Sequence, residues 1–127
     1  MSSWDHLKNF HLLRPNAITN SVLPIEEEYY RHYDLNPTHL EANTPAEILA
    51  HAADCDILFV VATALPRPVI EGLKRCRLIS RLGNGTDKIA VDAATERGII
   101  VSNVPYFCVP EMSDHIMAML LSLARQL

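Results

Sequence analysis

The sequence predicts an α/β domain built on a doubly wound parallel sheet of five strands, and three observations predict it. Strand and helix signals alternate from residue 17 to residue 101. Residues 57–61 (ILFVV) form a continuous apolar run of β-favouring residues, the pattern of a strand covered on both faces. Two closely spaced glycines, Gly83 and Gly85, follow the strand signal at residues 78–82. Because parallel strands are joined by right-handed crossovers, helices are expected on both faces. The 127 residues suffice for one such domain and not for a second full one. With 49% hydrophobic and 20% charged residues, the chain can bury a real core and is too apolar to be disordered.

Each element has its own signal. Residues 1–16 show no hydrophobic period and read as a loose arm. Residues 17–23 can extend as the first strand, and Pro24 opens a helix whose Glu26, Glu27 and Glu28 complement the positive end of the helix dipole. Asn36 and Pro37 break that helix, and residues 39–41 read as a short second strand. Thr44, Pro45 and Glu47 read as the cap, first residue and acidic first turn of a helix reaching about Ala53. The run at 57–61 is the central strand. Pro66 and Pro68 start the next helix, which reaches Lys74, and residues 78–82 (LISRL) form the fourth strand. Asp92 can cap a short helix over 93–97, ended by Gly98 where a positive φ is favoured, and residues 99–101 (IIV) are the fifth strand. A last helix opens at Pro110 and Glu111.

Composition narrows the function classes. A formal charge of −4, with basic residues thinly spread, offers no footprint for nucleic acid or for an anionic membrane. Residues 1–10 carry Asp5, His6 and Lys8 and no apolar h-region, and the nearly apolar run at 116–124 is too short to cross a bilayer. Cys55, Cys76 and Cys108 are far apart, odd in number and in no CxxC pair, which fits reduced thiols in a cytoplasmic protein rather than a disulfide framework or a zinc site. The histidines His6, His11, His32, His39 and His51 form no HExxH or other metal spacing.

The glycine loop carries the chemistry. Gly83, Asn84, Gly85, Thr86 and Asp87 stand at the carboxyl end of a predicted parallel strand, where open α/β sheets bind ligands. Glycines there permit positive φ and close backbone approach, so amides near Asn84, Gly85 and Thr86 can converge on an anion as a nest; a tight strand-to-helix turn is the plainer alternative. A dinucleotide fingerprint GxGxxG would require glycine at position 88, which is Lys, and no GK[ST] phosphate loop exists.

The block from Arg75 to Leu127 resembles the N-terminal half of the D-isomer-specific 2-hydroxyacid dehydrogenases. The likeness combines the loop glycines with Asp87, the AATERGI segment at 93–99, the N-x-P step at Asn103 and Pro105, and the helix carrying Asp114 and His115; it extends more faintly upstream and fades before about Asn16. The resemblance implies a flavodoxin-like domain over 17–105 that binds a small 2-oxo or 2-hydroxy acid. It also implies a hinge and first helix of an absent nucleotide-binding domain over 106–127. By matched position, the amides of Asn84 and Gly85 would take the substrate carboxylate, with Thr63 adding contacts from the loop after the third strand. NAD or NADP is the cofactor the family implies, but it is not expected to bind this chain alone, because the family's catalytic Arg, Glu or Asp, and His fall after the equivalent of Leu127. Lys88 and Ala90 depart from the Asn and Asp common there, and Val109 replaces a capping Ser or Thr.

The last helix is apolar nearly all round, with Met112, Ile116, Met117, Met119, Leu120, Leu121, Leu123 and Leu127 too many for one face, so it expects cover on more than one side; docking as the last layer of the domain with its spare face solvated is the plainer alternative. The resemblance implies a homo-oligomer contact through residues 110–127. Asp114 and His115 are adjacent on a helix and point about 100° apart, which suits separate structural roles rather than an acid/base pair. The expected function is therefore a truncated dehydrogenase-like chain, inactive by itself, whose parent transfers hydride between a nicotinamide and a small acid. The alternative is a non-catalytic module that binds an acid or dimerises. A response-regulator receiver is set aside, because residues 20–21 (NS) and 61–63 (VAT) lack the acidic groups such a domain needs.

Overall fold

A computed structural model describes residues 5–127. Five parallel strands form one sheet: β1 (Leu12–Pro15), β2 (Thr38–Leu40), β3 (Ile57–Val60), β4 (Leu78–Arg81) and β5 (Ile100–Ser102), in the order β2-β1-β3-β4-β5. The helices are α1 (Pro24–His32), α2 (Pro45–Ala52), α3 (Arg67–Gly72), α4 (Val91–Glu96) and α5 (Val109–Arg125). The predicted fold class stands: this strand order is that of flavodoxin-like sheets, and the order reverses between β1 and β3. The 57–61 run supplies the central strand, which pairs with both β1 and β4.

The first strand is a correction. It lies at Leu12–Pro15, all four residues buried, whereas residues 17–21 form a turn, in which Asn20 N–H donates to the Asn16 carbonyl at 2.8 Å and Ile18 is 80% exposed, and Leu23 caps α1. The predicted loose arm over 1–16 therefore contains a strand and a 3-10 turn at Asp5–Asn9; its residues 1–4 lie outside the described residues. Arg14 and Pro15 hid this strand. A charge inside a four-residue strand is tolerated only when paired. Here the Arg14 side chain, almost wholly buried, donates to Glu26 Oε2 through Nε at 3.2 Å and to the carbonyls of Pro15 and Asn20 at 3.1 Å.

The other elements agree with their signals to within a residue or two. Thr44 caps α2 in a reciprocal capping box: its Oγ1 accepts from the Glu47 amide, and Glu47 Oε2 accepts from the Thr44 amide at 3.0 Å. Gly98 ends the α4 turn with φ +68°. Asp92, predicted as the cap of α4, sits instead in its first turn, and Ala90 occupies the cap without a side-chain bond. The last helix begins at Val109, one residue before Pro110, on a Cys108 cap with φ 51°.

The core lies on the face covered by α2, α3 and α4, where Leu13, Ile48, Leu58, Ile70 and Ile79 are fully buried. On the opposite face α1 lies over β3, with the Tyr30 and Phe59 rings 6.2 Å apart. Neither α1 nor α5 contributes a buried residue.

Candidate functional site

Three loops converge at the carboxyl end of the sheet: Asn16 after β1, residues 61–66 after β3 and residues 82–90 after β4. The last two are stitched together. Leu65 N–H donates to the Lys88 carbonyl at 2.8 Å and Ala90 N–H to the Leu65 carbonyl at 2.9 Å, flanking a parallel bridge between Leu65 and Ile89. This stitch holds the second half of the glycine loop against the Thr63 loop and leaves a cavity of about 90 Å³ between them.

Two of the three predicted site residues, Thr63 and Gly85, line that cavity together with Ala62, Arg81, Asp87 and Lys88. Asn84 does not line it; its carbonyl accepts from Asn103 Nδ2 at 2.7 Å, which ties the glycine loop to the end of β5. Among the described residues, no backbone carbonyl accepts from the amides of Asn84, Gly85 or Thr86.

The nest geometry is a correction. Neither Gly83 nor Gly85 has a positive φ, so the loop lacks the alternation of hand that defines a nest. What the missing side chains provide is room. A Cβ on Gly83 would fall 2.6 Å from the Arg81 guanidinium, and one on Gly85 would fall 2.7 Å from the Asp87 carboxylate. Both neighbours are the ends of flexible side chains.

Sequence reasoning missed three contributors. Arg81 donates through Nε to the Gly85 carbonyl at 3.0 Å and lays its guanidinium across the glycine loop. Its position inside the LISRL strand signal concealed this role. Lys88 Nζ lies 3.5 Å from the Ala62 carbonyl and adds a second cation to the cavity wall. Asn16 is buried, holds φ 61°, accepts from Thr63 Oγ1 at 3.2 Å and donates through Nδ2 to Asn43 Oδ1 at 2.9 Å. The Thr63 hydroxyl is thereby oriented across the point where the strand order reverses. An Asn at the end of a strand, tolerant of the left-handed region, was the available signal.

Beside this cleft, burial opposes the charge on Glu26, but hydrogen bonds from Arg14 and the Leu23 amide outweigh it and hold the carboxyl below its ordinary range. Burial, reinforced by that carboxylate, pushes the Tyr30 phenol up to about 12. The network is thus an ion pair with a neutral phenol bound to it, and it fixes the β1–α1 loop. Asp114 and His115 are exposed on α5, away from the cavity, and no group of three metal-binding side chains gathers among the described residues.

The glycine loop does not fit a dinucleotide fingerprint. The glycine loop follows β4 rather than the β1/β3 reversal, Lys88 stands where the third glycine would be, and the six-residue α4 starts only at Val91. No helix is long and apolar enough to cross a membrane among the described residues.

A family model described as "D-isomer specific 2-hydroxyacid dehydrogenase, catalytic domain" matches residues 16–118. Similar curated proteins include the D-3-phosphoglycerate dehydrogenase of Sus scrofa, 31% identical over 93% of this chain and 22% of the relative. That of Methanocaldococcus jannaschii is 39% identical over 66% of this chain and 16% of the relative. The chain thus spans about a fifth of the length of the relatives it matches. Among solved structures, a D-lactate dehydrogenase from Aquifex aeolicus complexed with NAD and lactic acid superposes with a TM-score of 0.69 at 20% identity. That match covers 89% of this chain and 33% of the other and speaks for the fold alone.

Proposed function

Because this chain belongs to the D-isomer-specific 2-hydroxyacid dehydrogenase family, we propose that residues 17–105, with β1 now added at their start, are the acid-binding portion of an NAD(P)-dependent enzyme. The observation that carries this reading is the cavity between Thr63 and Gly85, walled by Arg81 and Lys88 as well as by Asp87. A small 2-oxo or 2-hydroxy acid would place its carboxylate against the Asn84 and Gly85 amides. The two cations supply long-range attraction, which amide donors alone do not. The hydride carrier's site and the proton-transfer groups are assigned outside residues 1–127, so the isolated chain binds acid without turning it over.

Titration calorimetry with glyoxylate, hydroxypyruvate and 3-phosphoglycerate tests the reading. Binding of at least one acid, weakened about tenfold or more in Arg81→Ala, is the expected result, since one lost charge-assisted bond is worth about 1.5–3 kcal/mol. No heat with any of the three would overturn it. Measurable oxidation of NADH or NADPH by the purified chain would overturn the assignment of inactivity.

The exposed last helix favours a second role for residues 106–127, as hinge and association surface. Met112, Ile116, Met119, Leu120 and Leu123 recur at steps of three and four and are all more than half exposed. A second copy of this chain, offering the same stripe, is the proposed occupant. The three free cysteines accord with a cytoplasmic location.

A further inference from the structure

Two thiols that the acid-binding reading leaves unused stand side by side at the opposite end of the sheet. β3 and β4 pair in parallel with Ile57 opposite Leu78. Before the ladder the two segments stay side by side, because Lys74 N–H donates to the Ala53 carbonyl and Arg77 N–H to the Asp56 carbonyl, both at 2.8 Å. Cys55 and Cys76 lie between these two bonds, on neighbouring segments. Neighbouring strands lie about 4.8 Å apart, inside the Cα separation of about 4.4–6.8 Å that a disulfide spans. Both side chains belong to the core cluster, Cys55 with no exposure and Cys76 8% exposed at its rim.

The pair is chemically asymmetric. The neighbouring Cys76 thiol, followed by burial, pushes Cys55 up from the ordinary thiol value, while the Cys55 thiol draws Cys76, whose Sγ also donates to the Leu78 carbonyl at 3.5 Å, below it. Cys76 is also flanked in sequence by Arg75 and Arg77. The group that more readily becomes a thiolate is therefore also the one nearer to solvent.

We propose that Cys55 and Cys76 form a peroxide-responsive dithiol that closes into an intramolecular disulfide between the amino ends of β3 and β4. The Cys76 thiolate attacks one oxygen of a hydroperoxide, the O–O bond breaks, and Cys76 sulfenic acid forms with release of hydroxide, or alkoxide from an organic peroxide. The Cys55 sulfur then attacks the Cys76 sulfur, the S–O bond breaks, and the hydroxyl leaves as water with the Cys55 proton. Two thiols lose two electrons and the peroxide gains them. The new bond closes a loop that carries β3, Thr63 and α3, which restricts the unfolded chain and leaves the carboxyl-end cavity untouched. The proposal does not depend on the acid-binding reading.

The test uses the full chain carrying Cys108→Ser, which leaves only these two thiols. After treatment with stoichiometric hydrogen peroxide, thiols are counted in denaturant and peptides are mapped without reduction. Both thiols should disappear together, a Cys55–Cys76 cross-linked peptide should appear, the urea midpoint should rise, and dithiothreitol should reverse all three. Retention of both thiols, sulfinic acid on Cys76 beside a free Cys55, or disulfides only between molecules would each overturn the proposal. Should the variant fail to fold, the same map on the unsubstituted chain identifies the cross-link directly, and its absence has the same force.

Discussion

The two faces of the sheet are made from the same strands and finished differently. Towards α2, α3 and α4, β3 presents Leu58 and Val60, both fully buried; towards α1 it presents Ile57 and Phe59, both only partly covered. β5 shows the same imbalance, with Ile99 buried just before the strand and Ile100 67% exposed at its start. The apolar run of β3 thus encodes burial on two sides, while residues 5–127 supply a dry layer on one. The surplus appears again in α5, a 17-residue helix with no buried residue. A helix of that length is marginal in water without a packed face. Hydrophobicity in the sequence therefore reports the cover a strand or helix is built for, and the folded chain shows which part of it this segment provides.

Adjacent residues of β3 give the sharpest way to break this comparison. Leu58→Ala removes a side chain from the dry face and should cost about 3 kcal/mol in urea unfolding, through lost transfer free energy and a residual cavity. Ile57→Ala, on the partly covered face, should cost less than about half as much, since water already reaches the site and little cavity remains. Equal losses would mean that the two faces are energetically alike.

Asp56 sits at the seam between the faces. Its buried carboxylate accepts from the His11 amide at 2.9 Å and from Arg75 at 3.1 Å, and its backbone links the entries of β1, β3 and β4. Burial works against the charge, but the His11 amide and Arg75 outweigh it and bring the carboxyl below its ordinary value. A folded pKa below the unfolded one contributes stability above the unfolded value near 4, and that contribution is lost as pH falls through the folded value. Asp56→Asn should cost about 2 kcal/mol at pH 7, the scale of a charge-assisted bond. The gap between variant and parent should narrow below about pH 4. A gap independent of pH would assign the loss to packing instead.

How much of this was legible follows from where the signals are local. Thr44-Pro45-Glu47, Gly98 and the 57–61 run state their structure within a few residues, and the structure agrees with each. β1 is not legible, because the burial of Arg14 depends on Glu26, twelve residues away, and the apolar residues at 17–23 belong to a turn and to the start of α1. The site divides the same way. That Gly85 and Thr63 share one cavity wall follows from their loops at strand ends, whereas Arg81, Lys88 and Asn16 join them through contacts between loops that no single stretch of sequence reveals. The expectation of a nest rests on glycine's freedom, which neither loop glycine uses.

The smallest effect on folding should come from α5, and there the comparison meets the association proposal. Leu120→Glu places a charge on a side chain that is already 57% exposed, so the unfolding free energy of the isolated chain at low concentration should change by less than about 0.5 kcal/mol. If a second copy covers the stripe, the same substitution desolvates a carboxylate at the contact, and sedimentation should show a dimer giving way to a monomer. The unfolding midpoint of the parent should then rise with protein concentration and that of the variant should not, because association stabilises only the folded state. A parent that sediments as a monomer at every concentration would remove the second copy as the occupant. The open face would then await cover by a different surface.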